Sequence, residues 1–196
     1  MENNGVLYTG TSELHIPQRV ASATKRIIFH AGVYGNFANF QEHRRAMEAY
    51  LAKPDVTLDI LAVEWDQTLS WFDEFATMLR QEHSIDELRE HFEDSWKYVQ
   101  ELERAANVRV HKVRQMPCAP MLIFDDTLVA GFYLHSTITA PEGYWIEQRG
   151  DVDKMLGSRG LSSEELRKQL NPQELSMYRF VDECVQASCG QLLCLS

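Results

Sequence analysis

The sequence predicts an α/β fold: a mixed, partly parallel sheet flanked by helices. Three observations carry that expectation. Residues 25–29 (KRIIF) and 56–63 (VTLDILAV) are short apolar runs separated by a helix-patterned segment, as strands covered on both faces require. Residues 121–124 and 128–134 flank the pair Asp125-Asp126 and read as a hairpin. Between and after these runs stand segments with helical periodicity and recognisable start signals.

Each element has a local reason. Residues 1–11 show no periodicity and are expected to be a loose arm. Pro17 suits the first turn of a short helix over 17–23. After the first strand, 31–36 (AGVYGN) is turn-rich. Asn39 with Glu42 resembles a capping box for a helix that runs to about Lys53, where Pro54 and Asp55 stop it. Ser70 is expected to open a short helix, and Ser84 with Glu87 a longer one. On the latter, Ile85, Leu88, Phe92, Trp96, Val99, Leu102 and Ala106 form one apolar stripe, a core face or a dimer seam, with Asn107 as its stop. Residues 108–114 mix valine with Arg109, His111 and Arg114, so this strand should be half exposed. A further strand is expected near 144–146, followed by two helices capped by Ser162 with Glu165 and by Asn171 with Pro172.

The 196 residues suit one domain that buries its own core without a staple. Cys118, Cys184, Cys189 and Cys194 are too few for a disulfide framework and make no C-x-x-C pair, which points to a reducing, cytoplasmic compartment. The start lacks signal-peptide character, and the longest apolar stretch, 128–134, falls far short of the ~20 residues of a membrane span. The formal charge is −10, but it is unevenly placed: residues 64–103 hold 12 acidic and 3 basic side chains, and the remainder 17 and 16. That acidic face should repel nucleic acid and anionic lipid, while an anionic ligand elsewhere stays possible.

The segment from Cys118 through Asp125 to Gly131 resembles the core of the phospholipase D-like superfamily, whose motif is His-x-Lys-x4-Asp followed by an apolar strand and a glycine. Aligned on Asp125, the histidine position falls on Cys118 and the lysine position on Pro120. The resemblance implies a phospholipase D-like layer architecture without its chemistry, because that chemistry needs an imidazole to attack phosphorus and a cation to hold the phosphoryl oxygens. The chain is more similar still to degenerate phospholipase D-like domains that follow helix-turn-helix segments in bacterial transcriptional regulators. The stretches that carry this are 20–29, 56–63, 108–111, Asp125-Asp126 and 140–147. It implies an N-terminal arm at 1–16, the degenerate domain at 17–150 and a helical extension at 151–196. The resemblance begins too close to the start for a preceding helix-turn-helix, so DNA binding is not expected from analogy alone.

In open α/β sheets, ligands bind beyond the carboxyl ends of the strands. The segments reaching that edge supply the candidate ligand-binding residues: His30, Gly32, Tyr34 and Asn36, with Gly35 among them; Glu64, Trp65 and Asp66; and from the hairpin Cys118 and Asp125, or Tyr133, His135 and Ser136. Glycines permit close backbone approach, and Tyr34 and Trp65 offer stacking faces. The bland alternative is a satisfied histidine and solvated carboxylates. No metal-ligand spacing or cofactor motif is present, so no metal or cofactor is expected. A Cys118–histidine nucleophile pair is conceivable, but a cysteine behaving as a small apolar side chain is the commoner case.

The leading expectation is therefore a non-catalytic binding or regulatory domain, cytoplasmic and homodimeric, that senses a small molecule or a protein partner. One alternative is a hydrolase with a displaced site drawing on His30, Glu64, Asp125 or His135. Another is an interaction module docking through the acidic helix at 84–106.

Overall fold

A computed structural model describes residues 5–192. One seven-stranded sheet forms the centre, built from β1 (Val6–Thr9), β2 (Arg26–Ala31), β3 (Thr57–Ala62), β4 (Val108–Lys112), β5 (Met121–Phe124), β6 (Thr127–Ala130) and β7 (Tyr144–Arg149). Their spatial order is β1-β7-β6-β5-β2-β3-β4. β2, β3 and β4 are parallel to one another, whereas β2–β5, β5–β6, β6–β7 and β7–β1 pair antiparallel. The expected mixed, partly parallel α/β sheet is what forms. β2 is the strand at which its parallel half meets its antiparallel half.

Helices cover both faces. On one lie α1 (Ile16–Ser22) and α3 (Gln41–Leu51), with the short α2 (Gly35–Asn39) leading into α3 at the sheet's end. On the other lie α4 (Phe72–Leu79), α6 (Val152–Gly157) and α8 (Pro172–Ala187), with α7 (Ser163–Gln169) against α8. Strand alternation sorts the core into two clusters: Ile27 and Phe29 of β2 face α1 and α3, and Ile28 faces α4 and α8. α5 (Ile85–Leu102) joins the two, giving Leu88 and Phe92 to one cluster and Tyr98 and Val99 to the other. Its stripe is thus core, with Ile85 exposed at its start and Ala106, beyond the helix end, exposed as well. The helices after residue 151 share that core, since Met155, Met177, Val181 and Cys184 pack with Ile28 and Leu61.

Several local expectations need correction. The arm is not loose from residue 6 onward: β1 pairs with β7 from Val6↔Glu147 to Thr9↔Tyr144, and a 3-10 turn follows that buries Leu14. A four-residue strand is too short to announce itself by alternation, and only its distant partner fixes it. Residues 1–4 and Cys194 lie outside the described residues. Asn39 does not cap α3; it ends α2, and α3 starts after Phe40 without a side-chain cap. α5 stops at Leu102, and Asn107 instead donates from Nδ2 to the carbonyl of Leu51. The 128–134 run is strand only to Ala130, because Gly131 donates to the carbonyl of Pro120 and the chain leaves the sheet. The capping boxes at Ser84 and Ser162 and the Asn171 cap form as expected, and Asn171 also makes a box with Glu174.

Candidate functional site

A cavity of about 660 Å³ opens where β2 ends. That volume lies within the range of small-molecule sites. Its floor is the chain from Ala31 to Gly35, and its walls come from the 3-10 turn and α1, from α2 and the start of α3, and from Pro120 and Leu122 of the β5 segment. Leu79, Arg80 and His91 close one side, and Tyr133, Pro141 and Trp145 another.

The floor is held by precise local contacts. Gly32 has room for no side chain: a Cβ there would lie 2.6 Å from Leu79 Cδ1 and 3.0 Å from Phe75 Cζ. Its N–H donates to Tyr133 Oη at 2.9 Å, which draws the 131–139 segment over the end of β2. Tyr34 works beneath the floor. Its N–H donates to Ser95 Oγ at 2.8 Å, its hydroxyl donates to the Leu61 carbonyl at 2.8 Å, and that hydroxyl accepts from the Ala31 N–H. Burial holds the hydroxyls of Tyr34 and Tyr133 well above the ordinary phenol range, so both stay neutral.

Of the residues expected at the strand ends, Gly32, Asn36 and Tyr133 line the cavity together with Gly35. The others lie elsewhere. His30 is fully buried on the α4/α8 side of β2, and neither ring nitrogen has a hydrogen-bond partner among the described residues. Burial alone pulls its pKa down to about 4, so it is neutral. Tyr34 is a structural bolt. The loop after β3 is closed by its own contacts: Glu64 pairs with Lys112 at 2.8 Å and Asp66 with Arg114 at 2.9 Å. Trp65 meets Phe72 edge-on at 4.9 Å, with the Arg89 guanidinium over its ring.

Asp125 sits at the opposite end of the sheet. β5 runs antiparallel to β2, so Met121 stands beside His30 while Asp125 meets Arg26. Four residues of strand separate the two ends, about 13 Å. There Asp125 adopts a left-handed backbone (φ 51°) and accepts the N–H groups of Thr24, Lys25 and Arg26. Burial pushes its pKa up, but these bonds outweigh it and leave the carboxyl below its usual range. It is a hairpin anchor. His135 is exposed in the 131–139 segment and outside the cavity lining. The four groups of the displaced-hydrolase alternative therefore do not converge. Cys118 is also outside the lining; burial and the neighbouring Glu183 raise its thiol pKa, the opposite of nucleophile activation. Among the described residues, no group of three or more His, Cys, Asp or Glu side chains could hold a metal.

The cavity also brings together residues that sequence reasoning passed over: His15, Phe37, His43, Arg80, His91 and Trp145. His43 stacks edge-on against Phe37 at 5.2 Å, and its Nδ1 is buried without a partner among the described residues. Burial lowers its pKa, partly offset by Glu42. Arg80 follows α4 and donates from Nη1 to the carbonyl of Leu79 at 2.8 Å. One signal for Arg80 was available. It is one of three basic residues in the acidic 64–103 stretch, and no carboxylate stands three or four residues from it.

No protein-family model matches the sequence, and no curated protein sequence matches it. Solved structures with a similar arrangement include TrmBL2, an archaeal chromatin protein that shows a novel mode of DNA binding (12% identity, TM-score 0.41, 76% of this chain and 46% of that one). A phosphatidylserine synthase from Haemophilus influenzae Rd KW20 is similar at 11% identity and TM-score 0.46, over 94% of this chain and 44% of its own. NucT from Helicobacter pylori is similar at 11% identity and TM-score 0.44, over 93% of this chain and 96% of its own. The chain thus spans less than half the length of the first two. No helix among the described residues is long and apolar enough to cross a membrane.

Proposed function

We propose that this chain is a non-catalytic, phospholipase D-like scaffold that binds a small molecule in the cavity at the end of β2. One observation carries the reading: Pro120, at the position where the motif has its phosphate-holding lysine, forms part of the cavity wall. No ammonium enters from that strand, and the position of the motif histidine, Cys118, is turned toward Glu183 and Arg179 of α8. Phosphoryl transfer from this wall would lack both its nucleophile and its electrostatic clamp. The cavity, with its glycine floor and aromatic walls, is left as a receptor. The exposed edge strand β1, which presents Val6 and Leu7 to solvent, supports the homodimeric part of the reading.

The test has two arms. Purified protein is incubated with bis(p-nitrophenyl) phosphate, and no turnover above buffer is expected. Turnover that falls on His43→Gln would overturn the non-catalytic reading. Native mass spectrometry then compares wild type with Gly35→Leu, whose new side chain grows from a cavity-lining position with nothing nearer than Asn39 Nδ2 at 4.0 Å. A co-purified small molecule should be retained by wild type and lost by the variant.

A further inference from the structure

We propose that the cavity takes a monocarboxylate with an apolar body, its carboxylate held by the guanidinium of Arg80. The proposal rests on the receptor reading above and names the ligand class for that same cavity.

The first ground is the company Arg80 keeps. Other partly buried arginines have acids: Arg19 has Glu147 at 2.7 Å, and Arg109 has Asp59 at 2.5 Å. Arg80 has none among the described residues; its bond to the Leu79 carbonyl leaves most of its five N–H donors without a protein acceptor. Burial already lowers the proton affinity of this guanidinium, which means that the cation is held in surroundings that solvate it poorly. An anion arriving from solution would supply the missing acceptors, and the planar fork of arginine matches the two oxygens of a carboxylate.

The second ground is the charge around it. His91 lines the same wall, and burial, His83 and Arg80 together disfavour its charged form, so this corner resists further positive charge. Two carboxylates also line the cavity, but neither answers Arg80. Asp94 is paired with Lys97 at 2.9 Å, and Glu42 lies beside His43 in the first turn of α3. One uncompensated guanidinium matches a single negative charge. A phosphate monoester would bring nearly two charges to a chain that already carries −10.

The third ground is the remaining surface. Phe37, Leu79, Pro141 and Trp145 offer apolar and aromatic faces, which suit a hydrocarbon or aryl body better than a sugar or peptide.

Anilinonaphthalene sulfonate and its uncharged parent, N-phenylnaphthylamine, are titrated by fluorescence into wild type, Arg80→Gln and Gly35→Leu. Arg80→Gln is expected to weaken the anionic probe by roughly tenfold to a hundredfold and to leave the neutral probe unchanged. Gly35→Leu should weaken both. Decanoate should displace the anionic probe from wild type, decyl phosphate less well and decanol poorly. If Arg80→Gln leaves the anionic probe unaffected, or if decanol or decyl phosphate competes as well as decanoate, the ligand class is wrong while the receptor reading stands. If Gly35→Leu changes neither probe, the cavity itself is not the site and the receptor reading fails.

Discussion

At the outer edge of the sheet, Arg109 and His111 of β4 converge on Asp59 of β3, a carboxylate with 3% side-chain exposure. His111 Nε2 lies 2.8 Å from Oδ1, Arg109 donates to Oδ2 at 2.5 Å, and His111 Nδ1 lies 3.2 Å from Gln191 Oε1 of the C-terminal segment. At the cavity, Arg80 is half-buried like Arg109 and has no acid among the described residues. The first region is a network closed around Asp59, both of whose oxygens are matched and to which Gln191 is tied through His111, although Arg109 Nε is buried without a partner among the described residues. The second is an open one, with donors left over beside a cavity. A buried charge tolerates isolation poorly, so the closed network reads as architecture and the open one as a place for something to bind.

The comparison can be broken most strongly at Asp59. Asp59→Ala leaves His111 and Arg109 facing an empty acceptor position and should cost about 3 kcal/mol in urea-unfolding free energy. A loss below about 1 kcal/mol would show that the network is not the clamp described.

His30 tests the contrast within a single row of the sheet, because it registers with Leu61 on β3, which in turn registers with His111. His111 has partners and, among the described residues, His30 has none. The folded-state pKa of His30, about 4, lies below its unfolded value of 6.5. Its neutral form therefore stabilises the fold fully above pH 6.5, and that contribution is lost as the pH falls toward 4. At pH 5 the loss relative to pH 8 should be about 2 kcal/mol. His30→Leu should flatten this slope between pH 8 and 5, measured by urea unfolding at each pH. An unchanged slope would place the proton elsewhere.

The two arginines give the smallest effects and the sharpest contrast. Arg109→Gln should destabilise by about 1 kcal/mol, since the pair is partly solvent-screened. Arg80→Gln in the ligand-free protein should change stability by less than about 0.5 kcal/mol, because Arg80 has no ion pair among the described residues to lose. Thermal unfolding of both variants decides whether the arginines differ as described.

Much of the scaffold was legible because its signals are local. The apolar run at 56–63 becomes β3, buried between β2 and β4, and the Asp125-Asp126 turn makes the β5–β6 hairpin. Ser84, Ser162 and Asn171 each find the glutamate three residues on. Other signals misled. Asn39 and Glu42 had capping-box spacing, but the chain used Asn39 to end a preceding helical turn. Glu64 and Asp66 stood at a strand end as a ligand site would have them, but Lys112 and Arg114, 48 residues away in each case, neutralise them.

The sequence by itself determined β2 to β7, the caps at Ser84, Ser162 and Asn171, the hairpin and the acidic stretch, because hydrophobic period and turn chemistry act between residues a few positions apart. Only the tertiary structure decided that β1 closes the sheet against β7. It also decided that Asp125 and the cavity lie at opposite ends of β2, and that Arg80 has no acid among the described residues where Arg109 has one. Those outcomes depend on which charges meet through space across long stretches of chain, and no local pattern encodes a partner that fails to arrive.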